Sequence, residues 1–253
     1  MADWPKIDGK DGVFTTTLKS WNLFHDVVAK TLDFPVYVFR GHRMSAWLLE
    51  PSLARLIKSQ KKRIKELSAS HLQTFQLASR GRRGPNPPPL PTDNDWWALG
   101  QHHGLATPLL DWTTSPYVGL FFAFCDPPTT DQTSHCVVFA VHRGRVEAKM
   151  AEDPFLTEDF EFFQPRSDEN SRLVAQAGLF SRLSIGTDVE DWVARNFKGE
   201  NQKLTLLKVL IPYSERTACL KALHVMNVNH ATLFPDLYGA GKLTTELLRR
   251  AMA

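Results

Sequence analysis

The run Ser115-Pro116-Tyr117-Val118-Gly119-Leu120-Phe121-Phe122-Ala123-Phe124 constrains the fold more than any other part of this sequence. Serine is a good helix N-cap and proline suits the first helical position, so a helix is expected over Tyr117–Phe124. It is apolar on nearly every face, and a helix with no polar side has to be buried. Pro127-Pro128 stops it.

The segments around it read as a mixture of strands and helices. Val36-Tyr37-Val38-Phe39 is β-branched and aromatic, a buried strand that delivers Arg40-Gly41 at its end. His135–His142 and Leu204–Ile211 are further strands, and Gly178–Leu183 is a short one. Trp21, Phe24, Val27, Val28 and Leu32 recur at helical spacing, with Asp33 and Pro35 ending that helix. Helices are also expected over Leu53–Phe75, through Trp96, Trp97 and Leu99 (capped by Asp93 or Asn94), after Asp188, and over Thr217–Leu223 and Thr244–Met252. Gly81–Thr92 carries four prolines between Pro87 and Pro91, which excludes helix and central strand and predicts an exposed loop. The irregular spacing of strands and helices argues for α+β: one domain over residues 1–253 with its core at about 34–240, a central mixed or antiparallel sheet and helices around it. No glycine-rich Rossmann or P-loop pattern is present.

Composition narrows the function only by exclusion. The 253 residues are 43% hydrophobic and 23% charged, with a net charge of +3 and a pI near 8.7, ordinary for a globular protein. Cys125, Cys136 and Cys219 are odd in number and none forms a CxxC pair, against a disulfide framework or a cysteine-rich zinc site. The opening twelve residues have neither the charge nor the apolar run of a leader. The longest apolar stretch, Val118–Cys125, is far short of the roughly 20 residues that span a bilayer. The expectation is a cytoplasmic protein without a membrane segment.

The segment richest in chemistry is Gln101–Ser115, which gathers His102, His103, Asp111, Trp112 and several hydroxyls beside the buried helix. Adjacent His102 and His103 point in different directions in any regular element, so at most one serves a common site. One histidine with Asp111 does not form a recognised metal spacing, and no metal is expected. Arg40 adds a guanidinium suited to bidentate contact with phosphate or carboxylate; an internal ion pair with Asp111 is the plainer alternative.

Together these segments resemble the FRG domain. Phe39-Arg40-Gly41 is similar to the family's name motif, Leu49-Glu50-Pro51-Ser52-Leu53-Ala54-Arg55 to its L-x-P-S-L-x-R, and Gln101–Thr113 to its Q-H-x-G-x-x-T-x-L-L-D-W-T block. The likeness continues through Gln176–Phe180, Ile211-Pro212 and Thr232–Leu237. Pro108 stands where the family more often has arginine. A more distant resemblance is to mono-ADP-ribosyltransferases: a strand ending Arg-Gly, then Trp112-Thr113-Thr114-Ser115 as a strand running into an apolar helix. That resemblance implies a split sheet and NAD as substrate. It implies NAD-binding roles for Arg40, Gly41, Gln101, Thr107, Trp112, Thr113, Ser115 and Phe180, with Trp112 or Phe180 stacking on a ring. Acid–base and orienting work would fall to Gln176, Asp111 and one of His102 and His103. Gln176 occupies the place of the family's catalytic glutamate and supplies a hydrogen bond but no charge. Either another carboxylate, Asp111 first among the candidates, takes that role or the site binds without turnover. The implied protein transfers ADP-ribose to a protein or nucleic acid, as a toxin or antiphage-defence effector.

The rival reading is a non-catalytic binding module. Between Arg55 and Arg83 stand Arg55, Lys58, Lys61, Lys62, Arg63, Lys65, Arg80, Arg82 and Arg83 against Glu66 alone. On one helix, Lys58, Lys61, Lys62 and Lys65 would share a face that could follow nucleic-acid phosphates or dock an acidic protein. The acids Glu152, Asp153, Glu158, Asp159 and Glu161 read as a solvated face.

Overall fold

The structure, a computed structural model, describes residues 5–32, 35–60, 62–127, 134–153, 160–165 and 171–252. Asp33, Lys61, Pro128, Glu158 and Asp159 therefore lie outside the described residues. Eight strands form one sheet: β1 (Ile7–Lys10), β2 (Val13–Thr17), β3 (Tyr37–His42), β4 (Leu109–Thr113), β5 (His135–His142), β6 (Phe160–Phe163), β7 (Gly178–Leu183) and β8 (Leu206–Pro212). Their spatial order is β1-β2-β8-β5-β3-β4-β7-β6. Every neighbouring pair is antiparallel except β2 with β8. The helices are α1 (Leu23–Thr31), α2 (Ser52–Ile57), α3 (Ile64–Ala78), α4 (Asp93–His102), α5 (Pro116–Phe124), α6 (Arg143–Glu152), α7 (Ser171–Ala175), α8 (Val189–Asn196), α9 (Arg216–Val225), α10 (His230–Leu233) and α11 (Leu237–Met252). The chain is α+β with a mixed sheet.

The central strand β5 is apolar on both faces because both faces are covered. Cys136, Val138 and Ala140 enter a cluster with α1, α5 and α9. Val137, Phe139 and Val141 enter another with α6 and α8. A third cluster joins α2, α3 and α4 to Leu109 and Phe180. In the first cluster α5 lies directly on β3. Ser115 caps it, accepting from the Val118 amide at 3.4 Å, and Pro116 opens it. Val118, Leu120, Phe121, Ala123 and Phe124 are all buried, and each fully buried Leu or Phe contributes about 1.5–3 kcal/mol.

Several local expectations need correction. The helix expected over Leu53–Phe75 is broken into α2 and α3. Lys58 to Arg63 is an unbroken polar run, so it offers no apolar face to hold a turn against the sheet. The proposed lysine stripe is consequently not one helical face. Thr92, rather than Asp93 or Asn94, caps α4, in a capping box with Asp95. The strand expected over Trp112–Ser115 is instead Leu109–Thr113, with Ser115 already the helix cap. The terminal helix begins at Leu237, well before Thr244, despite the two helix-penalised glycines Gly239 and Gly241.

Candidate functional site

The β3–β4 ladder is a single pair, Phe39 opposite Thr113. By contrast, β3 pairs with β5 from Tyr37 to His42, and β4 with β7 from Leu109 to Thr113. Where the ladder stops, side chains bridge the strands. Arg40 Nη1 donates to the Asp111 carbonyl at 2.6 Å and to Asp111 Oδ2 at 3.3 Å. Arg40 Nε donates to His42 Nε2 at 2.9 Å. That bond places the His42 proton on Nδ1. Burial first, and then the neighbouring Arg40 charge, push His42 down to about 3, so the imidazole stays neutral and keeps its lone pair for Arg40.

Asp111 is held from its other side by Gln101, whose Nε2 donates to Oδ1 at 2.6 Å. Gln101 Oε1 in turn accepts from the Thr107 hydroxyl. Thr107 is fully buried and fastens the next motif: its amide donates to Ser52 Oγ at 3.0 Å, and its carbonyl accepts from the Leu53 amide at 3.0 Å. Its hydroxyl oxygen also accepts from the Leu109 amide at 3.3 Å. Thr107→Val therefore leaves Gln101 Oε1 and the Leu109 amide without that partner. The expected loss is about 1–3 kcal/mol, measured by urea unfolding; a variant as stable as wild type would remove Thr107 as the link between the motifs.

Around Arg40 and Asp111 opens a cleft of about 830 Å³. Its lining includes Arg40, Arg43, Arg55, Lys58 and Arg172 against Glu50, Asp111 and Asp126, so cations predominate. Phe122, Phe234 and Trp47 supply aromatic surface. The Arg40 side chain is 22% exposed and that of Asp111 59%, so the pair forms part of an open wall and is not a sealed internal bridge.

The other residues implied by the sequence divide between wall and scaffold. Gln101, His102, Thr113 and Gln176 line the cleft. Gln176 Nε2, however, donates to the Leu233 carbonyl at 3.0 Å, which ties that amide to α10. Thr113 is buried, and its hydroxyl donates to the Gln176 carbonyl at 2.7 Å. Trp112 and Phe180 touch the cleft but are only 2% exposed. The Trp112 indole N–H donates to Ser181 Oγ at 2.8 Å, and Phe180 packs on Phe163. Neither presents a free ring face, so the stacking role expected of them is not available in this conformation. His103 faces a separate cavity with Arg82, Arg83 and Phe75. Ser115 lines another, with Val28 and Tyr117. Gly41 both lines the cleft and packs closely against α5. His102 is pushed downward by burial, then by His103 and Arg172. Burial pushes the cleft thiol of Cys125 up to about 12, which leaves it a poor nucleophile.

Sequence reasoning missed Arg43, Trp47 and Arg172. Arg172 projects from α7, forms a salt bridge with Asp236 at 2.5 Å and lies 5.4 Å from the Phe234 ring centre. Its only sequence signal is its place a few residues before Gln176.

Fold and cleft together define an α+β protein with a cationic, aromatic-walled site at a parting of two strands. Residues 35–132 match the family model of the FRG domain. Gln176 and Phe234 lie outside the matched residues but line the same cleft. No curated protein and no solved structure matches the chain. No helix among the described residues is long and apolar enough to cross a membrane.

Proposed function

We propose that this chain is an NAD-dependent ADP-ribosyltransferase-like protein that transfers ADP-ribose to a protein or nucleic acid, acting in the cytoplasm as a toxin or antiphage-defence effector. The observation that carries the reading is the position of Arg40 in the wall of an open cleft where β3 and β4 part, beside an exposed carboxylate. Arg40 would hold the pyrophosphate by charge-assisted hydrogen bonds. In the reaction the bond between the ribose anomeric carbon and nicotinamide breaks, and its electron pair leaves on the nicotinamide nitrogen. An acceptor oxygen or nitrogen bonds to that carbon and loses its proton to a base. Asp111, held by Gln101 and Arg40, would serve as that base and stabilise the developing positive charge. Gln176 orients, through its hold on Leu233.

The test is calorimetric titration with NAD together with nicotinamide release. Arg40→Ala is expected to weaken NAD binding about 10- to 150-fold, as loss of charge-assisted hydrogen bonds worth about 1.5–3 kcal/mol implies, and to abolish release. Folded wild-type protein that neither binds NAD nor releases nicotinamide, with nucleic acid present as acceptor, would sink the reading. A binding surface over residues 55–83 would then lead, because Arg55 and Lys58 already belong to the cleft and Lys62, Lys65, Arg80 and Arg82 are exposed beyond it.

A further inference from the structure

The cleft holds a patch apart from the residues proposed to act at the reacting bond. Trp47 follows β3 and is 44% exposed although it lines the cleft. Core packing therefore does not account for this indole. The Arg43 guanidinium lies 5.2 Å from its ring centre, and the His42 ring meets it at 66°. These contacts hold the indole plane in place. Arg43 Nη1 donates to the Pro127 carbonyl at 2.8 Å, and Arg55 Nη1 to the Glu50 carbonyl at 2.6 Å. Each thus satisfies one donor on a neutral carbonyl. Lys58 has its carboxylate, Glu50, at 3.3 Å. Among the described residues, no carboxylate is recorded in a salt bridge with Arg43 or Arg55. The patch is therefore an exposed indole with the Arg43 guanidinium over it and Arg55 in the same cleft wall, neither of them in a salt bridge among the described residues.

A ligand that answers both features carries a flat π-system and an anion a few ångströms apart. An acidic peptide would use the cations and leave the indole without a partner. An aliphatic ligand would use the indole and leave two charges unanswered. We infer that Trp47, Arg43 and Arg55 form a nucleotide subsite, in which a base stacks on the indole and phosphate oxygens accept from the guanidinium groups. The inference rests on reading the cleft as a nucleotide site but does not require turnover. Two sources carry this chemistry: the adenylate half of a dinucleotide, and a nucleotide within a single-stranded nucleic-acid acceptor.

Binding of AMP, nicotinamide mononucleotide, NAD and a short single-stranded oligodeoxyadenylate to the full chain separates the possibilities. Trp47→Ala is expected to weaken AMP or the oligonucleotide about 5- to 150-fold, the range for loss of one base stack. Trp47→Phe, which keeps a ring, should retain most of the affinity, and nicotinamide mononucleotide, whose ring belongs at the reacting bond, should be less affected than AMP by Trp47→Ala. If the adenylate half is the occupant, AMP displaces NAD and NAD weakens by the same factor in Trp47→Ala. If the acceptor is the occupant, AMP leaves NAD in place, and oligonucleotide binding weakens both with the substitution and with added salt. The proposal is overturned if neither AMP nor the oligonucleotide binds, or if Trp47→Ala binds both as wild type does. Failure of the transferase reading is visible separately, as intact AMP binding without nicotinamide release.

Discussion

Gly41→Ala should lower stability by about 3–5 kcal/mol, at the severe end for single substitutions, and lower the melting temperature by roughly 10 °C. Gly41 faces α5 so closely that a Cβ there would lie 2.0 Å from the Gly119 carbonyl oxygen and 2.4 Å from the Ala123 amide nitrogen. Both atoms are backbone, so no rotamer change relieves the clash, and α5 itself would have to move off β3. That helix is buried on nearly all sides, and displacing it disturbs close-packed neighbours all round. Gly119→Ala is the graded control: its Cβ meets the Phe39 Cβ at 3.0 Å and Val138 Cγ1 at 3.5 Å, and a smaller loss is expected. A melting temperature for Gly41→Ala within 2 °C of wild type, to order of magnitude one kcal/mol or less, would show that α5 is not seated this way.

Acidification from pH 7 to pH 5 should remove about 2 kcal/mol of stability through His42 alone. In the unfolded chain this imidazole takes up a proton near 6.5, while in the folded protein it resists protonation down to about 3. Between those values the unfolded state binds more protons, so stability rises with pH and falls on acidification. Glu246 acts in a lower window. Burial alone would raise it, but the His230 ring at 3.3 Å and the Arg250 guanidinium, which donates to it at 2.6 Å, prevail and hold it near 2. Its contribution is present above its ordinary 4.5 and is lost only as pH falls from there toward 2. Urea unfolding at pH 7 and pH 5 should thus show a difference that shrinks by about 2 kcal/mol in His42→Gln, which still offers Arg40 an acceptor. An unchanged difference would mean that His42 is not neutral in the folded state.

What the sequence makes legible is local and apolar. β5 and β7 span the residues expected of them, β5 as a continuous apolar run, and the Ser115-Pro116 start of α5 holds to the residue. Gln101, Thr107 and Asp111 could be picked out by chemistry because each carries a polar group that needs a partner. The residues that complete the cleft are harder to read, since their roles depend on what arrives from elsewhere in the chain. Gln176 invites a catalytic reading until Leu233 is seen to occupy its amide nitrogen. Trp112 and Phe180 look like platforms until the second and third core clusters claim them. Trp47 looks like one more core aromatic, because nothing local distinguishes a tryptophan left at a cleft mouth from a buried one. The N-terminal hairpin does carry a signal in Asp11-Gly12, but its strands are too short and polar for alternation to reveal them.

The parallel pairing of β2 with β8 also sets a timetable. Asp11, in the hairpin turn, hydrogen-bonds to Asn201 across 190 residues of chain, and β8 follows directly after. At ribosomal speeds of about 5–20 residues per second, the hairpin emerges roughly ten to forty seconds before the strand that will hold it. Through that interval its outer backbone is an unpaired edge, while β3, β4, β5 and β7 become available to assemble around α5. The loop that must close to seat β2 is among the longest the chain can form, and such long-range pairings slow folding. The Arg40–Asp111 wall of the cleft can therefore take shape in a chain whose first strands are still waiting, while Phe234 joins it only after β8.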